Sequence, residues 1–296
     1  MFSRADIEHA RRVVHEAMPA TPQQRWPLLE QRLGTELWVK HENHTPVGAF
    51  KVRGGLTYFD ALRSREPHCR GVIGATRGNH GQSVGFAARR HGIAATIVVP
   101  RGNSVEKNAA MRALGVELVE HGEDFQAARE HAGQLAAERG LHMIPSYHDD
   151  LVRGVATYWV ELFEAVAPDV VFVPIGQGSG ICACAAARQY TGVATRIVGV
   201  VSAHATAYQQ SFRAGRIVET PVTTLLADGM ACRLPDAQAL DVIRREVDDV
   251  VAVSDDEVAA AMRWFFADTH NVAEGAGAAA LAAAFAQRGQ IGRAHV

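Results

Sequence analysis

Lysine is scarce in this chain. Of 30 basic side chains, three are lysine (Lys40, Lys51 and Lys107) and 27 are arginine. Either residue serves as a surface cation, but only an amine loses its proton readily and attacks a carbonyl. A search for a nucleophilic nitrogen therefore begins with three positions. Lys51 lies in Gly48-Ala49-Phe50-Lys51-Val52-Arg53-Gly54-Gly55. Its apolar neighbours predict an amine that desolvation makes easier to deprotonate. The small residues around it leave room for something bulky and flat. A solvated surface cation is the plain alternative, and it describes most lysines.

Two further segments are built for anions. Gly176-Gln177-Gly178-Ser179-Gly180 follows a buried strand and precedes a helix expected from about Ile181. Small residues there let backbone N–H groups close on a phosphate, and the helix N-terminus adds a favourable field. A dinucleotide fingerprint would need glycine where Ile181 stands, and an acid after the next strand near Ser202 to hold a ribose. A Walker loop would end in Gly-Lys-Ser/Thr. A small phosphorylated ligand fits better than NAD or ATP. Thr76-Arg77-Gly78-Asn79-His80-Gly81, at a strand-to-helix turn, offers N–H groups to a carboxylate and an Asn donor to a phenolic oxygen. It also reads as an ordinary capped turn. A lysine able to form a Schiff base, together with a glycine-rich phosphate cup, is the requirement set of pyridoxal 5'-phosphate.

The elements that must position these groups alternate. Val72–Ala75 predicts a strand, followed by a helix to about residue 91. Ala95–Val99 is a strand, and Asn103 with Glu106 reads as a capping pair for the next helix. Val116–Val119 returns as a strand. Phe125, Ala128, Ala132 and Leu135 form a helical stripe stopped by Gly140, and His142–Ile144 is a strand. Beyond this block come a helix over Leu151–Val166 and strands over Val170–Val173, Ile197–Val201 and Val250–Val253. Ser254-Asp255-Asp256-Glu257 is a capping box, and Ala276–Ala286 a buried helix. The fold class is α/β, with two parallel-sheet domains wrapped by helices.

Composition narrows the rest. The formal net charge is -2 and hydrophobic residues make up 48% of the chain. That excludes intrinsic disorder and gives no support for a nucleic-acid partner. No apolar run is long enough to span a membrane, and the N-terminus lacks the apolar core of a signal peptide. The expected location is cytoplasmic. Cys69, Cys182, Cys184 and Cys232 are scattered and read as free thiols.

Taken in order, Lys40-x-Glu42-Asn43, Gly48-Ala49-Phe50-Lys51-x-Arg53-Gly54, Gly78-Asn79-His80-Gly81, the Gly-rich loop, Ala227-Asp228-Gly229 and Glu274-Gly275-Ala276-Gly277 resemble one family across nearly the whole chain. It is the serine/threonine dehydratase (threonine ammonia-lyase) group of fold-type II pyridoxal-phosphate enzymes, whose fold is tryptophan synthase β-like. The resemblance implies a homodimer and an ammonia-lyase that converts a small β-hydroxy amino acid, threonine or serine first, to a 2-oxo acid and ammonia. It implies that Lys51 bears the cofactor and moves the α-proton, and that Phe50 packs near the ring. Asn79 would bond the ring's phenolic oxygen. Thr76, Arg77, Gly78 and His80 would hold the substrate. Gly176, Gln177, Gly178 and Ser179 would cup the phosphate, with Gly229 and Glu274 near the ring. It also implies a large domain in two parts, 1–70 with the cofactor lysine and 149–296 with the cup, and a small mobile domain over 71–148.

Departures from that pattern matter. Gln177 and Ser179 interrupt what is usually a run of four glycines. Arg77 stands where relatives often carry a small residue, and where racemising relatives place a serine. Metal-binding members carry two carboxylates after the Gly-Val strand. Here Val201 and Ala207 occupy that stretch, so no metal is expected. The last strand of such enzymes should begin near Gly292–Val296, so the chain reads as lacking it, and with it the usual partner of the pyridine nitrogen. A truncated longer protein or weakened cofactor affinity is the expectation. A 3-hydroxyaspartate dehydratase, an amino-acid racemase and a β-replacement enzyme are the enzymatic alternatives. A catalytically inactive cofactor-binding fold is the non-enzymatic one.

Overall fold

The computed structural model describes residues 1–290 and 294–295. In chain order it contains α1 (Arg4–His15), β1 (Gln23–Arg25), α2 (Pro27–Leu33), β2 (Leu37–Lys40), α3 (Lys51–Arg65), β3 (Gly71–Ala75), α4 (Asn79–His91) and β4 (Ala94–Val99). There follow α5 (Val105–Ala113), β5 (Glu117–Glu120), α6 (Phe125–Arg139), β6 (His142–Met143), α7 (Asp149–Ala165), β7 (Val170–Pro174) and α8 (Ser179–Thr191). The chain continues through β8 (Arg196–Ser202), α9 (Ala207–Ala214), α10 (Ala237–Glu246), β9 (Asp249–Val253), α11 (Asp255–Thr269), α12 (Gly275–Ala286) and β10 (Ala294–His295).

The chain divides into two compact units. One comprises Met1–Arg4, Ala20–Asn43 and Ala156–Val296, the other Ala5–Pro19 and His44–Val155. The expected small domain, 71–148, lies wholly inside the second unit. That unit reaches further, because α3 packs on α4 through Gly55, where a side chain would strike Ser83. Lys51, expected with the large domain, therefore belongs to the second unit.

The second unit's sheet has the order β5-β4-β3-β6 and is parallel throughout. Alternation along its strands serves two faces. Val72, Ile97 and Val99 join Phe59 and Leu62 of α3 and Val84 of α4 in one core. Ile73, Ala75 and Val98 face Ala128, Ala132 and Leu135 of α6 in another. Every residue of β3 is buried, as a central strand covered on both faces requires.

The first unit's sheet has the order β1-β2-β10-β7-β8-β9. It departs from the all-parallel expectation at one edge, where β1 pairs antiparallel with β2. Its core joins Phe172, Val198 and Val200 to Phe265 of α11 and the alanines of α12. Alanine suits α12 because a helix buried on nearly every side must let its neighbours approach closely. The strand expected to be lacking begins at β10, where Ala294 and His295 pair in parallel with both Leu37–Trp38 and Val170–Val171. Gly292, Arg293 and Val296 lie outside the described residues.

Helix starts show where the sequence reading slipped. The cap of α5 is Ser104, whose hydroxyl accepts the Lys107 N–H, rather than Asn103, whose amide donates to Asn108. Helix α8 begins at Ser179, two residues before the expected Ile181. The Ser254–Glu257 capping box has both arms in place.

Candidate active site

The three lysines separate cleanly. Lys40 is structural: its side chain is 4% exposed, its amine donates to Glu161 at 2.6 Å and to the Thr21 carbonyl at 2.9 Å. Breaking so buried a pair would strand a charge. Lys107, on α5, lies along Gly78, where an added Cβ would collide with its side chain. Lys51 is the first residue of α3, at the end of the helix whose field opposes a positive charge. Its approach is fixed by Thr45, whose hydroxyl donates to the Ala49 carbonyl and accepts the Ala49 N–H, both at 2.9 Å. The ammonium lies 4.8 Å from the Phe50 ring centroid. The Lys51 carbonyl accepts a 2.5 Å hydrogen bond from the Ser83 hydroxyl of α4.

That bond ties Lys51 to the second turn of α4. Gly78 is the N-cap residue and supplies no side-chain cap, so the first N–H groups of α4 have no side-chain oxygen from the cap position. The Gly78 N–H is itself held by the Thr76 hydroxyl at 3.0 Å. His80, in the first turn, is 9% exposed and its Nε2 has no hydrogen-bond partner. Burial, then the Lys51 charge, push its pKa down to about 3, against an upward pull from a hydrogen bond to the Pro145 backbone. His80 is neutral at physiological pH. The unfolded chain takes up this proton near pH 6.5, so the stability it confers is complete above that value and falls as pH drops toward 3. About 2 kcal/mol is expected to go between pH 7 and pH 5. Urea unfolding of His80→Gln at the two pH values checks this. The variant should lose less stability on acidification than the parent, and equal losses would refute it.

In the first unit, Gly176, Gln177 and Gly178 form the turn from β7 into α8. Gly178 has φ +97° and no cap side chain, which leaves the α8 N-terminus open to an anion. Gly176 runs against the Gly229 carbonyl so closely that any Cβ would overlap it. Gly229 in turn sits beside Glu274, the N-cap residue of α12, whose Oε1 is 3.8 Å from where a Gly229 Cβ would lie. Gly176, Gly229 and Glu274 are thus brought together.

Tyr208 and Cys232 were not foreseen. Tyr208, buried on α9, donates to the Gln177 carbonyl at 3.0 Å and accepts the Asp236 N–H at 3.1 Å. The Gln177 amide reaches the Cys232 sulfur at 3.6 Å. Burial raises the Cys232 thiol to about 12 and the Tyr208 phenol well above its usual value, so both are neutral beside the cup. Neutral walls, a glycine turn pressed on backbone and an uncapped helix suit a phosphate. Tyr208→Phe should strand the Gln177 carbonyl and weaken cofactor affinity by about tenfold, measured by titration. Unchanged affinity would show the tyrosine to be idle.

Val201 ends deep in β8 and Ala207 opens α9, both buried. Among the described residues no cluster of His, Cys, Asp or Glu gathers to bind a metal, and no helix is long and apolar enough to cross a membrane.

Comparison with known proteins gives a consistent picture. The profile of the family "Pyridoxal-phosphate dependent enzyme" matches residues 14–296. An L-threonine ammonia-lyase of Geobacter sulfurreducens is 38% identical over 87% of this chain. The chain spans 64% of that relative's length. An L-threo-3-hydroxyaspartate ammonia-lyase of Saccharomyces cerevisiae is 34% identical over 88% of this chain and 80% of its own. The structure of threonine deaminase isoform 2 from Solanum lycopersicum superposes with a TM-score of 0.89 at 30% identity, covering 98% of this chain and 86% of that one.

Proposed function

This chain belongs to the pyridoxal-phosphate dependent enzyme family, and from that premise we propose that it is an ammonia-lyase converting a small β-hydroxy amino acid, threonine or serine, to a 2-oxo acid and ammonia. The observation that carries the reading is the placing of Lys51. It opens α3 beside the Phe50 ring, and its carbonyl accepts from Ser83 of α4, the helix whose N-terminal turn offers an anion site.

When bound, the cofactor supplies an electron sink that acidifies the substrate's α-carbon. Lys51 Nζ would hold the cofactor and would accept the proton from the substrate's α-carbon. The turn from Thr76 to His80 receives the α-carboxylate on the N–H groups of α4. Neutral His80 adds no charge to that site. Asn79 would donate to the cofactor's phenolic oxygen. Gly176, Gln177, Gly178 and Ser179 would hold its phosphate through N–H groups at the start of α8, with Gly229 and Glu274 beside them. Loss of the β-hydroxyl as water, followed by hydrolysis, releases the 2-oxo acid and ammonia.

Racemisation needs an acid on the face opposite Lys51, and Arg77 is a poor proton donor there. The free thiols of Cys69, Cys182, Cys184 and Cys232 accord with a reducing, cytoplasmic setting, and a homodimer is the assembly we propose. Release of 2-oxobutanoate from L-threonine and pyruvate from L-serine by the purified, cofactor-loaded protein tests the reading. A protein that binds the cofactor yet releases neither would overturn it.

A further inference from the structure

Gln177 is a glutamine in a turn otherwise made of glycine. Half-buried there, it has side-chain freedom to lose and an amide to satisfy. The structure fastens it twice. The Gln177 Nε2 donates to the Cys232 sulfur at 3.6 Å, and the Gln177 carbonyl accepts from the Tyr208 hydroxyl at 3.0 Å.

Cys232 is suited to its part. It is buried, and its S–H donates to the Leu234 carbonyl at 3.3 Å, which leaves the sulfur lone pairs to the Gln177 amide. Burial keeps the thiol neutral, so it serves as donor and acceptor together. The residues that follow secure Tyr208. The Asp236 N–H donates to the Tyr208 oxygen at 3.1 Å, and the Asp236 carboxylate accepts the Ala239 N–H at the start of α10. Ala239 closes the space behind Gly178, where an added Cβ would lie 2.6 Å from the Ala239 Cβ and 3.2 Å from the Tyr208 oxygen. Gly229, a few residues before Cys232, sets its carbonyl against Gly176. The stretch 229–239 and Tyr208 therefore back the turn at Gly176, Gln177 and Gly178 in succession. Cys232 is the member that meets the Gln177 side chain.

We propose that Cys232 is a positioning residue of the phosphate cup. It holds the Gln177 amide, and through Gln177 it sets the backbone N–H groups that meet the phosphate. It touches neither the phosphate nor the substrate. A glycine at position 177 would need no such tie, so the cysteine and the glutamine work as a pair. The inference rests on the phosphate lying at the start of α8 and is independent of which amino acid is the substrate.

A double-mutant cycle tests the pair with two ligands, pyridoxal 5'-phosphate and pyridoxal, which differ in the phosphate. Both can link to Lys51, so the ratio of their dissociation constants isolates the cup. Parent, Cys232→Ala, Cys232→Ser, Gln177→Gly and the Cys232→Ala/Gln177→Gly double variant are titrated, with Gly176→Ala as control. The phosphorus resonance of the bound cofactor is the second readout. Cys232→Ala should lower the preference for the phosphorylated ligand by about fivefold and shift that resonance. Cys232→Ser keeps a donor and an acceptor and should retain part of the preference. In the Gln177→Gly background, Cys232→Ala should change the preference by less than about twofold. Parental preference and resonance in Cys232→Ala would overturn the inference. So would a loss of equal size in both backgrounds, which would make the cysteine a packing residue alone, or an equal weakening of both ligands. If Gly176→Ala loses the preference and Cys232→Ala does not, the role of Cys232 falls and the cup stands. Parental preference in Gly176→Ala would place the phosphate elsewhere, and both would fall.

Discussion

Replacing Lys51 with alanine is expected to abolish 2-oxo acid release, with a fall of at least about 10⁴-fold. Two roles disappear together: the covalent hold on the cofactor and the base that takes the α-proton. Lys51→Arg should do nearly as badly. Arginine keeps the charge over the Phe50 ring, 4.8 Å away in the parent, but remains protonated and cannot attack a carbonyl. The fold should survive both changes. Lys51 stands at the first position of α3, and its packing role lies in the carbonyl that accepts from Ser83, which any residue retains. Circular dichroism like the parent's, with the visible absorption of bound cofactor gone, is the expected pairing. Substantial activity in either variant would remove Lys51 from the mechanism.

Gly176→Ala is expected to cost about a thousandfold in cofactor affinity. A Cβ at this position overlaps the Gly229 carbonyl, which is backbone and cannot swing aside. The turn must move, and it moves the N–H groups that start α8. Charge-assisted hydrogen bonds of that kind are worth roughly 1.5–3 kcal/mol each, so the loss of two suffices. Gly229→Ala is a softer change from the other side, because its Cβ would meet the Ala276 Cβ at 2.9 Å. Cofactor titration of the two variants should rank them in that order. A Gly176→Ala protein with parental affinity would show that the phosphate is held elsewhere.

How much of this was legible in the sequence follows from the range of each interaction. Lys51 stood out by rarity and by its immediate neighbours, which are local properties. The glycine turns were legible because a small residue between a strand and a helix has few purposes. The same rarity argument pointed equally at Lys40, and nothing local announced Glu161, 121 positions away, as its partner. Tyr208 was invisible for the same reason: its bond to Gln177 spans 31 positions, and a tyrosine on an amphipathic helix reads as core. The start of α8 was placed late because Ser179 and Gly180 look like turn residues until the helix behind them is seen to need an open end. Asn103 and Ser104 are both good caps, and geometry chose the second. The division of the chain was obscured because α3 belongs to the second unit through glycine contacts that no periodicity reveals. Gln177 was visible as a departure, but its bond to Cys232, 55 positions away, required the structure.

The most direct test of the central claim is chemical. The purified protein, loaded with pyridoxal phosphate, is reduced with borohydride, digested and analysed by mass spectrometry. The phosphopyridoxyl mass is expected on the peptide containing Lys51, and on none containing Lys40 or Lys107. A label on either of those lysines, or bound cofactor that borohydride fixes to no lysine, would contradict it.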